Sequence, residues 1–180
     1  MTNIILCGKS TDTAVSSTLL PALERYGGVQ YLNENSLRQY GSNDLKYIVY
    51  DCEKLPRMNL KKGIILFKNT FMSSKKIQIP AEFICVLEMK NSHAAEILNG
   101  TEAAAFTCGT SSKDTLSVAG LDEGSAALSL QRSVRTVDGK LLEPHDFKVK
   151  LLSQLSPTRI LAVCAALLLS GEDSTLEYVI

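Results

Sequence analysis

Tryptophan is absent from this chain of 180 residues, and aromatic residues make up only 6% of it. Stacking platforms for single-stranded nucleic acid are therefore poorly supplied. An excess of either charge is also missing. Nineteen basic and nineteen acidic residues give a formal charge of zero, and the basic residues cluster no further than pairs such as Lys61-Lys62 and Lys75-Lys76. Binding a phosphate backbone needs a concentrated basic face, so nucleic acid is not an expected partner. No apolar run is long: Ile160 to Leu169 covers ten residues, against the ~20 that a membrane helix needs. The first apolar run, Ile4 to Cys7, is four residues long and lacks the flanks of a signal segment, which sets the expectation of a cytoplasmic protein without membrane contact.

Paired cysteines are lacking too. The five cysteines are an odd number, and none stands in a C-x-x-C pair. All lie in apolar stretches, where a reduced thiol behaves as a small hydrophobe. Cys7, Cys52 and Cys108 each close an expected strand, so parallel strands would gather them at one sheet edge. Buried structural thiols are expected there, with no metal site.

What is present is a chain 45% hydrophobic and long enough to bury about 70% of its unfolded surface around one core. Residues 1–110 alternate strands and helices. Strands are expected at Ile4 to Cys7, Val29 to Asn33, Tyr47 to Cys52, Gly63 to Phe67, Phe83 to Leu87 and Ala103 to Cys108. A helix carrying Val15, Leu19 and Leu23 follows the first, with Pro21 expected to kink or delay it. A second, capped at Asn91 or Ser92, is stopped by Gly100, and Phe71 to Pro80 reads as a connection. This order predicts an α/β fold with a mostly parallel, P-loop-NTPase or Rossmann-like sheet and helices on both faces.

Residues 111–155 change period. Thr115 to Leu121, Ala126 to Val137 and Phe147 to Leu151 alternate apolar and polar, and Asp138-Gly139 is a hairpin-turn pair, so a small antiparallel lobe is expected. Residues 156–171 read as a helix packing back on the core: Ser156-Pro157 caps and opens it, its apolar residues run almost all round, and Gly171 ends it. The whole chain, 1–180, is expected to be one domain.

Directly after the first strand stands Gly8-Lys9-Ser10-Thr11, the end of a Walker A loop, G-x-x-x-x-G-K-[S/T]. The first glycine of that motif falls at Asn3, inside the strand, so the backbone cradle for a phosphate is missing.

Three stretches together resemble the central domain of the Mur ligases, the ATP-dependent amide-forming enzymes of peptidoglycan synthesis, and of the related folylpolyglutamate synthetases. They are the strand with Gly8-Lys9-Ser10-Thr11, similar to the family's G-K-T-T; Phe83 to Leu87 through Ala103 to Gly109 and Asp114; and the alanine-rich run from Ile160 to Gly171. The resemblance implies ATP on the phosphate loop and magnesium held by a glutamate at a later strand end and a histidine further on. It also implies an Asn near the nucleotide on the alanine-rich helix, and a separate C-terminal domain for the incoming amino acid. This chain departs from that pattern. Asp51 or Glu53 stands in for the glutamate, Phe67-Lys68-Asn69-Thr70-Phe71 replaces the Asp-His pair, and Arg159 replaces the Asn. Taken as the whole protein, 180 residues leave no length for the flanking domains.

The expectation is therefore a non-catalytic Mur-ligase-like domain, a binding or interaction module that engages a partner chain or a second copy, with no cofactor. The alternative is a small enzyme or sensor that takes a phosphate or carboxylate ligand at the carboxyl edge of the sheet. Its candidate residues are Gly8, Lys9, Ser10, Thr11, Asp12, Asp51, Glu53, Gly109, Ser112 and Lys113, with ATP and magnesium as the disfavoured ligand. Asp51 and Glu53 are expected to point the same way from a strand of period two. His93 and His145 read as exposed, without the neighbours of a catalytic triad. A response-regulator receiver with Asp51 as phosphoacceptor fits less well, because Cys7-Gly8-Lys9 stands where its acidic pair belongs.

Overall fold

A computed structural model describes residues 1–73 and 77–180; Ser74 and the lysine pair Lys75-Lys76 lie outside the described residues. In chain order the elements are β1 (Thr2–Cys7), α1 (Ala14–Glu24), β2 (Gly28–Leu32), β3 (Leu37–Tyr40), β4 (Leu45–Cys52), β5 (Gly63–Phe67) and β6 (Phe83–Glu88). There follow α2 (Ser92–Leu98), β7 (Ala104–Gly109), β8 (Leu116–Asp122), β9 (Ser125–Leu130), β10 (Val134–Arg135), β11 (Leu141–Leu142), β12 (His145–Lys150), α3 (Pro157–Leu169) and β13 (Tyr178–Val179).

Alternate residues of the short apolar strands feed two different cores. Ile4 and Leu6 of β1, with Ile64 and Leu66 of β5, join the layer under α1 and α3. Ile5, Cys7, Ile65 and Phe67 join the opposite layer, which α2 and the buried Phe71 and Ile79 cover. A strand has a side-chain period of two, so a continuous apolar run is what a strand covered on both faces requires.

One sheet of eleven strands runs β13-β12-β9-β8-β7-β6-β5-β1-β4-β2-β3. From β2 to β8 the pairs are parallel, and β8, β9 and β12 pair antiparallel. The antiparallel region thus continues the main sheet, and only β10 and β11 form a separate ribbon. The expected strand from 126 to 137 is divided between β9 and β10. The chain leaves β1, builds β2 to β4 on one side and then crosses to β5 on the other. The reversal places a crevice at the carboxyl ends of β1 and β5.

α3 is buried from Ile160 through Leu169 because it lies between α1 and β5 to β8. Ser156 accepts the Arg159 N–H at its start. At its end Gly171, with φ +85°, donates to Leu168 O while Glu172 donates to Leu167 O, a Schellman closure that needs the left-handed glycine. Pro21 neither delays nor ends α1. The carbonyl it leaves free, that of Ser17, lies on the exposed face where water can satisfy it. The unforeseen strand β3 has no apolar pattern. A turn in which Asn33 Oδ1 accepts the Asn35 and Ser36 N–H groups folds it back on β2.

Candidate functional site

β1 ends at Cys7, and the next residue must turn sharply beneath the loop that follows β5. A Cβ at Gly8 would lie 2.7 Å from Lys68 Cβ and 2.9 Å from Thr70 Oγ1, so only glycine fits. Three N–H groups of the turn, those of Gly8, Lys9 and Asp12, are engaged within the chain. Gly8 donates to Cys52 O at 3.0 Å and Asp12 to Lys9 O at 3.0 Å, while Lys9 donates to Thr70 Oγ1 at 3.1 Å. A phosphate cradle needs such donors free and convergent.

Lys68 fills the turn instead. Its Nζ donates to Asp51 Oδ1 at 2.6 Å, to Asp12 O at 2.7 Å and to Lys9 O at 3.3 Å. Three N–H donors thus meet three acceptors, the full capacity of an ammonium. Its side chain is 0% exposed and that of Asp51 4%. Burial pushes the Asp51 carboxyl above the ordinary carboxylate range, and the hydrogen bonds and charge of Lys68 act against that rise. Tyr31 also donates to Asp51 Oδ2, at 3.4 Å. Asn91 joins α2 to the turn: its side chain accepts the Ala94 N–H as the helix cap and donates to Lys68 O at 3.0 Å.

The other candidates are placed as follows. Lys9, Ser10 and Thr11 are exposed beyond the turn, and both carboxylate oxygens of Asp12 are engaged, by Ala14 N and by Thr70 Oγ1. Glu53 does not accompany Asp51. β4 ends at Cys52, so the period of two lapses and Glu53 lies exposed. Gly109, Ser112 and Lys113 belong to a loop organised by the buried Asp114, which accepts the Ser111 N–H. A Cβ at Gly109 would lie within 3.1 Å of both Asp114 carboxylate oxygens. That loop follows β7, three strands from β1 or roughly 14 Å at the usual strand spacing. It is not brought to Gly8.

Beside the closed turn, a cavity of about 160 Å³ opens between the first turns of α1 and α3 and the ends of β5 and β6. Val15, Leu66, Val86 and Ala162 supply apolar walls, and Asp12, Lys68, Glu88 and Arg159 supply charge. Among the described residues the buried Arg159 Nε has no hydrogen-bond partner.

Five buried free thiols are present, but only two gather at the edge. Cys7 and Cys52 are register partners on β1 and β4, whereas Cys108 faces the opposite layer, against Leu161 O. Burial pushes the Cys85 thiol up to about 12. Among the described residues no group of three or more His, Cys, Asp or Glu is placed to hold a metal ion, and no helix is long and apolar enough to cross a membrane.

The reading of His145 as lacking a serine neighbour is corrected. Its Nε2 lies 2.7 Å from Ser174 Oγ, and its Nδ1 2.7 Å from Glu143 O. With Nδ1–H donating to that carbonyl, Nε2 accepts from the serine hydroxyl. The pair joins the segment after α3 to β12, near the far edge of the sheet from Gly8. His93 and His145 are both partly buried. Twenty-nine residues of sequence hid the serine.

The parallel sheet, its antiparallel continuation and the inserted helix α3 define an α/β fold of the kind built around a strand-to-helix turn. More narrowly, the fold is Mur-ligase-like. The structure of the murein peptide ligase Mpl from Psychrobacter arcticus 273-4 aligns over 96% of this chain, with a TM-score of 0.61 and 10% identity. That of UDP-N-acetylmuramoyl-L-alanyl-D-glutamate--2,6-diaminopimelate ligase aligns over 96%, with a TM-score of 0.59 and 10% identity. This chain spans 44% of the length of each. No family model and no curated protein matches the sequence. At 10% identity the likeness is one of fold.

Proposed function

We propose that this chain is a Mur-ligase-like domain without ligase chemistry, a binding and protein-interaction module with a degenerate phosphate loop. In it an internal ion pair replaces the ATP site. The observation that carries this reading is the Lys68 ammonium inside the turn after β1, bonded to Asp51 and to two carbonyls of the turn itself. A phosphate placed there would face the Lys9 and Asp12 oxygens, and a magnesium ion would compete with the ammonium for Asp51. The residues present do not fit ATP with magnesium, and the reading assigns no cofactor.

The partner is a protein chain, either a different one or a second copy. The outermost strand β3 supports this, because its free side offers backbone hydrogen bonds to an added strand. Leu37 on β3 is 63% exposed. Five unpaired cysteines support a reducing, cytoplasmic setting. Calorimetric titration of the full chain with ATP and magnesium is expected to give no binding heat. Micromolar, magnesium-dependent binding that Lys9→Ala abolishes overturns the reading. Light scattering across a concentration series then distinguishes a self-associating chain from one that needs another partner.

A further inference from the structure

We propose that β3 is a self-association edge, on which two copies of this chain pair antiparallel about a twofold axis at Gln39, with Arg38 of each against Tyr40 of the other. The starting point is which main-chain groups face outward. Gly28 donates to Asp44 O on the β4 side of β2, and Asn33 donates to Ser36 O on the β3 side. Bonded and non-bonded pairs alternate along an antiparallel ladder. Asn33–Ser36 is bonded, so in the register of β2 and β3 the next bonded pairs are Tyr31–Arg38 and Val29–Tyr40. Leu37 and Gln39 therefore turn their N–H and C=O groups away from β2.

The edge lacks most of the devices that keep sheet edges apart. Its four residues include no proline, and its pairing with β2 runs without a bulge. Leu37, Arg38 and Gln39 are all exposed. The opposite edge of the sheet, β13, is only two residues long. One charge marks β3, that of Arg38, and it decides the register.

Outward residues exchange hydrogen bonds only with outward residues, which leaves symmetric registers with the axis at Leu37, Arg38 or Gln39. An axis at Leu37 sets Gln39 against Asn35, whose N–H is committed to Asn33 Oδ1 inside the turn. An axis at Arg38 sets two guanidinium groups directly opposite each other at the closer, non-bonded spacing, where like charges repel. An axis at Gln39 meets neither obstacle. Gln39 exchanges both main-chain bonds with its copy, and Leu37 faces Gly41, which has no side chain to meet it. Arg38 and Tyr40 share a face of the strand, so each guanidinium lies against the half-buried ring of the other copy, a cation–π pair made twice. The main-chain contact is four residues long in each copy, short of the roughly 20–30 residues a side of a standard interface. The dimer is accordingly weak and reversible.

The test is sedimentation velocity of the full chain from about 10 µM to about 1 mM, the range of a weak complex. A reversible shift from monomer to dimer is expected. Arg38→Glu and Tyr40→Ala should each weaken it roughly fivefold or more, with an unchanged circular-dichroism spectrum as the check on folding. Cross-linking reads the register independently of either. Gln39→Cys should give a covalent dimer on mild oxidation, because bonded pairs stand ~5.5 Å apart at Cα, within the reach of a disulfide, and the five native thiols are buried. Leu37→Cys and Arg38→Cys should not. Monomer at every concentration overturns the proposal, as does dimerisation that survives Arg38→Glu, or a covalent dimer from Leu37→Cys or Arg38→Cys in place of Gln39→Cys. The inference rests on the reading of this chain as an interaction module. A chain that stays monomeric overturns the second copy as its partner and leaves β3 to a different chain, whereas an ATP response overturns that reading itself.

Discussion

Two cations at the carboxyl edge of one sheet are treated in opposite ways. Lys68 is enclosed in the turn after β1 and has an acceptor for each of its three protons, whereas Arg159, on the neighbouring cavity, leaves its buried Nε without any. Removing an ammonium from water costs several kcal/mol, which only a complete shell offsets. The Lys68 turn is therefore a finished piece of structure. The Arg159 side chain is only partly buried and keeps one enclosed N–H unsatisfied, and the contrast separates a charge closed in by the chain itself from one left partly in water.

The largest expected effect breaks the finished site. Lys68→Met or Asp51→Leu alone should lower stability by about 3–5 kcal/mol, because each leaves the other charge buried and unpaired. The double substitution should recover most of that loss. Urea unfolding of the three variants measures it, and strictly additive losses would show that the two residues do not act as a pair. Next comes Asn91→Ala, which removes both the α2 cap and the donor to Lys68 O; about 1–2 kcal/mol is expected in the same assay.

A smaller effect appears with pH. The Asp51 pKa is raised in the fold, chiefly by burial, so the folded chain holds that proton more tightly than the unfolded one, whose pKa is ~3.9. Between those two values the folded state binds more protons. Its contribution to stability is present below the unfolded pKa and is lost as pH rises through the folded one. Asp51→Asn should remove that downward slope from the pH profile of the urea midpoint.

The smallest effect sharpens the comparison from the other side. Arg159→Met, which deletes the unsatisfied Nε–H, should change stability by less than ~1 kcal/mol or raise it. A loss as large as that of Lys68→Met would mean that Arg159 is already satisfied.

The fold was legible where one residue pattern admits one structure. The continuous apolar runs at Ile4, Gly63 and Phe83 required strands covered on both faces, and Ser156-Pro157 with Gly171 bounded α3 closely. β3 was not legible, since Leu37, Arg38 and Gln39 face solvent and pairing with β2 alone makes them a strand. The site was half legible. Gly8 and Asp51 were marked by their places at strand ends, but what joins them, Lys68, counted in the sequence only as the absence of an Asp-His pair. A lysine directly after the fully buried strand β5 was the available signal. Its meaning depended on the crossover from β4 to β5, which spacing along the chain does not reveal. Ser174 beside His145 was hidden for the same reason.

The burial of α3 along ten consecutive residues also dictates an order of events during synthesis. Until residue 169 has left the ribosome, the faces of α1 and of β5 to β8 that it covers have nothing over them, so the parallel core cannot close however early its strands are made. Translation adds roughly 5–20 residues per second. Throughout that time the nascent chain exposes the apolar faces that α3 covers in the fold, which concentrates the risk of aggregation in the moments before that helix arrives.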